Sequence, residues 1–421
     1  ERRRSKLFLR TDEFGRFVSA LVYIPKDRYN TGVRLAMEHV LRAAFGAETV
    51  EYTTRVGDSP LAQLHFVVRV PRGEPVPEVD VDQIQERLVH ATRTWEEKLL
   101  DAALAKMLAE QAYDLVATYT GPFAEAYQEM VGPDAAVDDL LALEELADDD
   151  ATGLALYRPE GAKPGRRRLK LYRRTPLSLT QVLGTFTDLG VEVLDERPFR
   201  VRDTDTRSEA FIYDFGLQAG SEEAWEGDSA TDRFEEAFLA VRTGAAESDV
   251  LGHLVLSAGL DWREVVILRT IARYLRQVGS TFSVAYLESG LVANPGLATM
   301  LVRLFEARFD PDHPAGADQQ ARRQAQDDLI EEITTALDDV PSLDHDRMVR
   351  AYMGVIEATQ RTNYYRTDSE GNPVRHISFK IDCAKVPGIP SPVPTAEIWV
   401  YSPQVEGVHL RFSPVARGGL R

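Results

Sequence analysis

The first hundred residues alternate between two hydrophobic periods. Apolar positions recur at a period near two in residues 6–10, 16–24, 49–56 and 62–70, which predicts four strands. A helical spacing follows the second strand, where Asn30 and Thr31 provide a cap, and returns after Asp80. This order, in which each of two strand pairs is followed by a helix, is typical of an antiparallel sheet with helices on one face. We therefore predict a ferredoxin-like α+β sandwich.

A looser copy of this order follows the acidic run Asp148-Asp149-Asp150, which we interpret as a solvated linker. The patterns predict strands at 154–158, 168–173, 191–201 and 209–217, with a helix from Pro176 to Gly190 after the first pair. The match lies in the order of elements and not in the residues. The chain is thus predicted to hold two ferredoxin-like domains.

Helical patterning fills residues 96–146 and 231–337. In the first of these segments, six apolar residues are expected to be buried positions of one long helix: Leu99, Leu100, Ala103, Leu104, Met107 and Leu108. Three strands are predicted after the second segment, at 376–381, 397–401 and 408–412, and they indicate the first strands of a further α/β domain.

The chain ends on Arg417-Gly418-Gly419-Leu420-Arg421. Two glycines let a backbone approach a ligand closely, and the flanking arginines can bind a carboxylate. This pattern indicates half of a site whose other half lies after residue 421. The alternative is a frayed basic terminus.

Composition narrows the function classes. The apolar fraction of 44% and the charged fraction of 28% are typical of soluble globular proteins, and 421 residues suffice for two to four domains. A net charge of −18 argues against nucleic acid or an anionic membrane as the main partner. No apolar run is long enough to span a bilayer. The single cysteine, Cys383, suits a reducing cytosol, and the start without Met favours a segment of a longer protein.

Familiar catalytic motifs are missing from the sequence. It contains no G-x-G-x-x-G, P-loop, C-x-x-C or H-E-x-x-H pattern, so it predicts neither a nucleotide site nor a structural metal. The scattered His253, His345 and His409 are more typical of surface or hydrogen-bonded core positions than of a catalytic base. Arg166-Arg167-Arg168 is interpreted as a solvated basic patch in a loop rather than a phosphate site.

Several long stretches resemble the large, multi-domain NAD-dependent glutamate dehydrogenases of bacteria. The resemblance covers nearly the whole chain and is most specific in residues 7–70 and 260–421. It is carried by FGRFVS at 14–19, YIPKDRYNT at 23–31, SPLAQLHF at 59–66, WREV at 262–265, YLRQ at 274–277, DHDR at 344–347, ATQRTNYY at 358–365 and YSPQVEGVH at 401–409.

The resemblance implies a domain order. Residues 1–105 and 151–220 would be ACT-like domains, 106–150 a helical connector, 221–340 helical motifs and 341–421 the truncated beginning of the catalytic domain. The chain would be a regulatory and scaffolding fragment of an enzyme that converts L-glutamate, NAD⁺ and water to 2-oxoglutarate, ammonium and NADH. The catalytic residues and the NAD site would lie beyond residue 421, so the fragment itself would be inactive.

The resemblance also implies a substrate-binding role for the end of the chain. Glutamate dehydrogenases carry a Lys-Gly-Gly-hydrophobic-Arg segment that helps to bind the substrate carboxylate, and the last five residues are similar to it. Arg417, Gly418, Gly419 and Arg421 are therefore expected to bind substrate. Arg417 stands where the smaller enzymes have lysine, and a guanidinium pairs with a carboxylate at least as well.

Two other function classes remain open. The fragment could be an amino-acid-sensing or oligomerisation ACT module, which would pair sheet edges between copies or bind an amino-acid effector. An RNA-binding α+β fold shares the strand order, but the negative charge and the lack of paired aromatic residues in a basic central strand argue against it.

Overall fold

The structure is a computed structural model that describes residues 5–71, 73–119, 125–202, 209–227, 229–316, 318–386 and 389–413. The chain divides into two compact units. One comprises Glu1–Glu144 with Arg200–Glu209, and the other comprises Glu145–Phe199 with Ala210–Arg421.

The first unit begins with the predicted antiparallel sheet, in the order β1-β2-β4-β3. Asn30 caps the first helix by accepting the Val33 N–H at 2.8 Å, and Gly46 ends it in the left-handed region at φ 58°. The core under the helices consists of alternate strand residues such as Ala20 and Phe66. The ferredoxin-like prediction is confirmed. The elements are β1 (Lys6–Thr11), β2 (Phe17–Pro25), α1 (Thr31–Phe45), β3 (Thr49–Arg55), β4 (Leu61–Arg69) and α2 (Val81–Ala91).

The described residues of the first unit continue with four helices: α3 (Trp95–Lys106), α4 (Ala109–Tyr119), α5 (Glu125–Met130) and α6 (Pro133–Glu144). The expectation of one long helix through Leu108 is wrong. The chain turns extended at Met107, with φ −144° and ψ 174°, so the helical face does not continue past Lys106. In consequence Leu108, after the break, is exposed instead of buried, and Leu104 is exposed on α3 itself.

The second unit opens with the other predicted sheet, in the order β5-β6-β8-β7. One face packs on α7 and on the helix that follows the sheet, where Phe186 lies 5.1 Å from Phe215 and 5.0 Å from Phe238 between ring centroids. The second strand–helix–strand order is confirmed. Its elements are β5 (Gly153–Tyr157), β6 (Arg166–Arg173), α7 (Leu179–Asp188), β7 (Glu192–Arg202), β8 (Glu209–Gln218) and α8 (Ala230–Arg242).

The three arginines at 166–168 begin the central strand β6 and do not form a solvated loop. Arg167 pairs with Glu222 at 2.8 Å, and Arg168 pairs with both Asp195 and Asp214 at 2.8 Å. The interpretation as a solvated patch is therefore wrong for Arg167 and Arg168. Residues of β6 on both faces of the sheet are buried from Arg168 to Tyr172, and the charges can be buried there because they are paired.

A single hydrophobic core continues from the second sheet through the helices to a third sheet. That sheet has the order β12-β11-β10-β9, and its strands are all antiparallel. Strand β9 was not predicted, because it is a four-residue continuation of the last helix. No described helix is long and apolar enough to cross a membrane. The elements are α9 (Leu254–Ser257), α10 (Trp262–Gln277), α11 (Val284–Val292), α12 (Pro295–Phe309), α13 (Gln319–Leu337), α14 (Leu343–Ala358), β9 (Thr359–Thr362), β10 (Ile377–Ile381), β11 (Ala396–Tyr401) and β12 (Glu406–Arg411).

Candidate functional site

The predicted substrate residues Arg417, Gly418, Gly419 and Arg421 lie outside the described residues. The structure does describe the strand that leads toward them. β12 pairs with β11 along its length, and the Arg411 carbonyl accepts the Thr395 N–H at 2.6 Å. The described chain therefore leaves the third sheet beside the start of β11.

The third sheet is held in place by α10. The Tyr274 hydroxyl donates to Glu397 Oε2 of β11 at 2.8 Å, and the Trp399 indole N–H donates to the Thr270 carbonyl at 3.2 Å. The two rings lie 6.0 Å apart between centroids, and all four residues are buried. Two hydrogen bonds and an aromatic contact fix the sheet against the helix.

A buried ionic cluster extends from the same helix. Arg269, only 2% exposed, donates to both oxygens of Asp249 at 2.5 and 2.8 Å. One turn later Arg273 pairs with Glu247 at 2.7 Å and reaches Glu406 of β12 at 3.6 Å. Residues four apart share one helix face, so α10 connects the loop before α9 to the third sheet.

Glu288 of α11 faces this cluster as a buried carboxyl. Burial raises its pKa to about 7, with Asp249 adding to the rise and Arg269 and Arg273 opposing it. Among the described atoms, its Oε1 has no hydrogen-bond partner, and neither has the buried hydroxyl of Tyr352. This arrangement can hold a proton inside the helical core, but none of these groups is among the described lining residues of the large cleft beside the second sheet.

That cleft has a volume of about 530 Å³. Gly190, at φ 81° in the turn from α7 to β7, forms one wall, and His253 packs against it. The residues after β8, including Ser221 and Glu223, form another wall. The His253 Nε2 lies 3.0 Å from the Thr187 carbonyl, and the Ser257 hydroxyl donates to the His253 carbonyl. In the other wall the Ser221 hydroxyl hydrogen-bonds the Glu223 carboxylate and lowers its pKa. The cleft therefore offers polar groups that can bind a ligand.

Sequence reasoning missed this cleft. A ligand site was expected at a glycine-rich loop where a strand leads into a helix, and the two such junctions lie near residues 25–31 and 174–176. The cleft lies instead at a helix-to-strand turn and after the last strand of the domain. Its walls come from segments far apart in the sequence, and the isolated Gly190 and Gly220 were the only local signal.

The histidines do not converge on a reaction centre. The His253 ring faces the Thr187 carbonyl, His345 accepts the Asn294 side-chain N–H at 3.2 Å, and His409 is exposed on β12. Across the described ranges, no group of three or more His, Cys, Asp or Glu residues could hold a metal ion.

The described residues do not fit a dinucleotide. A dinucleotide fold needs a parallel strand–helix–strand unit with a glycine-rich turn at the helix start. The strand pairings whose register the described residues define are antiparallel, and the sequence has no such glycine pattern. These residues therefore support no reaction step that involves NAD.

Five family models match the chain in order. They are the "Glutamate dehydrogenase, ACT2 domain" at residues 6–96, helical motif 2 at 103–146, the ACT3 domain at 151–230 and helical motif 3 at 246–311, followed by the "Bacterial NAD-glutamate dehydrogenase, catalytic domain" at 332–421. The ACT matches cover the first two sheets. The catalytic-domain match covers the third sheet and the predicted substrate residues.

Curated relatives match along the whole chain. Proteins named NAD-specific glutamate dehydrogenase from Halomonas elongata, Mycobacterium tuberculosis and Pseudomonas aeruginosa are 38%, 40% and 36% identical to it. In each case the alignment covers 100% of this chain and 26% of the relative. The chain thus spans about a quarter of the length of these relatives.

Proposed function

We infer that this chain belongs to the large NAD-specific glutamate dehydrogenase family. Within such an enzyme it would be the regulatory and scaffolding part. The parent enzyme would convert L-glutamate, NAD⁺ and water to 2-oxoglutarate, ammonium and NADH in the cytoplasm. The observation that carries the proposal is the ordered series of two ACT domains, two helical motifs and the catalytic-domain match in one chain.

The chemistry is proposed to lie after Arg421. NADH formation from glutamate and NAD⁺ would be measured for the 421-residue chain and for a full-length protein that contains it. We expect turnover by the full-length protein alone. Turnover by the 421-residue chain would contradict the location of the chemistry, and an inactive but folded full-length protein would contradict the enzyme assignment.

Arg417, Gly418, Gly419 and Arg421 are proposed to bind the glutamate carboxylate. In the full-length enzyme, Arg421→Ala should raise the KM for glutamate by about tenfold or more, because a charge-assisted hydrogen bond is lost. The KM for NAD⁺ should not change. Arg417→Lys, which keeps the positive charge, is the matched control. An unchanged glutamate KM in Arg421→Ala would remove this residue from the site.

A second function, amino-acid sensing, is favoured by the cleft at Gly190 and His253. Its wall carries Glu223, which can pair with an ammonium group, together with two serine hydroxyls. Calorimetry with a panel of L-amino acids would test the proposal. We expect binding that weakens in Glu223→Gln but not in Glu226→Gln, since Glu226 is a neighbouring exposed residue outside the lining. No heat with any amino acid would count against sensing.

The alternative function as an ACT module also includes oligomerisation, which would occur through the regulatory region. Within the described residues, the outer edges of β1 and β3 pair with no further strand, and Phe8 is 55% exposed on the sheet face opposite the helices. Light scattering of the chain at increasing concentration should show a homo-oligomer. Phe8→Ser should weaken the association, whereas Phe14→Ser, in the exposed turn between β1 and β2, should not. A strictly monomeric chain would contradict this contact.

Nucleic acid and membranes are not proposed as partners, because the net charge of −18 repels both kinds of anionic surface.

A further inference from the structure

A second, smaller cavity lies between the start of α10 and the third sheet. It measures about 180 Å³, below the roughly 300–1,000 Å³ of pockets for drug-sized ligands. Its inner surface is apolar and aromatic, formed by Val266, Ile377, Val374 and the rings of Trp262 and Tyr401. Ile377 and Tyr401 are buried, so the floor belongs to the packed core. A cavity of this size and lining suits one compact apolar group.

The positively charged residues around this cavity are Arg263 and Arg375, with the imidazole of His376 beside them, whereas its described lining contains no aspartate or glutamate. This is notable in a chain with 67 acidic and 49 basic residues. None of these three side chains forms an ion pair with a described residue. Arg263 donates to the Tyr364 carbonyl at 2.7 Å, with its guanidinium 4.6 Å from the centre of the Tyr364 ring. It also lies in the first turn of α10, whose N-terminus is capped by Asp261 and Glu264, so the positive charge at the cavity comes from the two guanidinium groups. The cavity therefore attracts an anion.

Its walls are held in position before any ligand arrives. Asn363 donates to the His376 carbonyl at 3.0 Å and accepts the Ser378 N–H at 2.7 Å, which fixes the segment that carries Arg375 and His376. On the opposite side, Gln404 donates to the Gly244 carbonyl at 2.9 Å, beside the lining residues Ala245 and Pro403. A preformed cavity binds with less loss of conformational entropy than a disordered one.

We propose that this cavity binds a small monocarboxylate with a branched or aromatic apolar body. The body would lie on Val266 and Ile377, and the carboxylate would face Arg375, His376 and Arg263. An α-amino acid with the same body is disfavoured, because the described lining has no carboxylate to pair with its ammonium group. The site connects α10 with the segment that enters β10, so an occupant would stabilise the packing of the third sheet on the helical core.

The test is calorimetry on the 421-residue chain with 4-methyl-2-oxopentanoate and with leucine. The two compounds share a branched body and a carboxylate and differ in the ammonium group. We expect the oxo acid to bind with a Kd on the order of 1 mM or tighter and leucine to bind at least about tenfold more weakly. Arg375→Ala should weaken oxo-acid binding about tenfold. Arg361→Ala, at an exposed arginine on β9 outside the lining, should leave it unchanged.

Four results would overturn the proposal. The first is leucine binding as tight as that of the oxo acid and weakened to the same extent by Arg375→Ala, a dependence that separates it from binding in the cleft at Gly190. The second is equal oxo-acid binding by the Arg375→Ala and Arg361→Ala chains, and the third is absence of oxo-acid binding at about ten times the expected Kd. The fourth is 2-oxoglutarate binding that is tighter than that of 4-methyl-2-oxopentanoate and is weakened by Arg375→Ala, since a second carboxylate would then occupy the proposed apolar floor; binding at Arg417 to Arg421 would not depend on Arg375. The measurement involves no turnover, so its outcome is independent of the proposed dehydrogenase activity.

Discussion

The two ACT-like sheets have the same strand order and the same helix-covered face, but their opposite faces differ. In the first sheet that face carries half-exposed and mostly uncharged residues, with the Ser19 hydroxyl 2.7 Å from His65 Nε2. In the second sheet it carries the buried Arg168, Lys170 and Asp214. The helix-covered face thus specifies the fold, while the other face is free to become either an open surface or an ionic layer.

The ionic layer constrains its neighbours. A Cβ at Gly216 of β8 would lie 2.6 Å from Asp195 Oδ2 and 3.0 Å from an Arg168 guanidinium nitrogen. Glycine is required there because the charged groups occupy the space of a side chain. The second sheet therefore contains a buried ionic layer on this face, whereas the ion pair Glu51–Arg69 of the first sheet is about half exposed.

The largest effects should be common to both sheets, on the helix-covered face. Phe66→Ala and Phe215→Ala each remove a fully buried ring. Each should lower the free energy of unfolding by about 3–5 kcal/mol in urea denaturation. Phe8→Ala, on the open face of the first sheet, is the control and should cost under about 1 kcal/mol. A cost for Phe8 equal to that for Phe66 would mean that both faces of this sheet are covered.

The opposite faces should respond differently to the loss of a carboxylate. Asp214→Ala leaves the buried Arg168 with Asp195 alone, and we expect a loss of about 2–4 kcal/mol in the same assay. The matched pair in the first sheet is Glu51–Arg69, at 3.2 Å with both side chains about half exposed. Glu51→Ala should cost at most about 1 kcal/mol. Similar costs for the two variants would refute the contrast between the faces.

A smaller effect should come from adding a methyl group. Gly216→Ala forces Asp195 and Arg168 apart and should cost about 1–2 kcal/mol. Gly184→Ala, in α7 of the same domain, meets no atom within 4 Å and should stabilise the helix by roughly 0.5–1 kcal/mol. Thermal unfolding of both variants would show the opposite signs. A stabilising Gly216→Ala would mean that the ionic layer can move without cost.

The smallest effect concerns pH at the end of the second sheet. Arg167 and the Gly165 N–H hold the pKa of the Glu222 carboxyl at about 2. Because the folded pKa is lowered, this stabilisation is present above the usual glutamate value and is lost as the pH falls toward 2. The difference in denaturation midpoint between the chain and Glu222→Gln should therefore shrink between about pH 6 and about pH 3. A difference that is constant with pH would contradict this origin.

The sequence alone determined the two domain patterns, the cap at Asn30 and the family resemblance, because each depends on residues close together in the chain. Strand alternation and helical spacing are local signals, and the helix-covered faces follow from them. The solvated interpretation of the arginines failed for a different reason. Arg168 is buried because Asp195 and Asp214, 27 and 46 residues away, neutralise it. No local window contains those partners.

The same distinction separates the predicted site from the cavities. Arg417 to Arg421 could be assigned from a contiguous pattern, as the expected edge of a substrate site. The cleft at Gly190 and the cavity at Arg263 are assembled from segments that only the tertiary structure brings together; the cavity alone draws on residues from Ala245 to Pro403. Burial, pairing and cavity shape are decided by long-range packing, because each depends on the distance between residues in space and not along the chain.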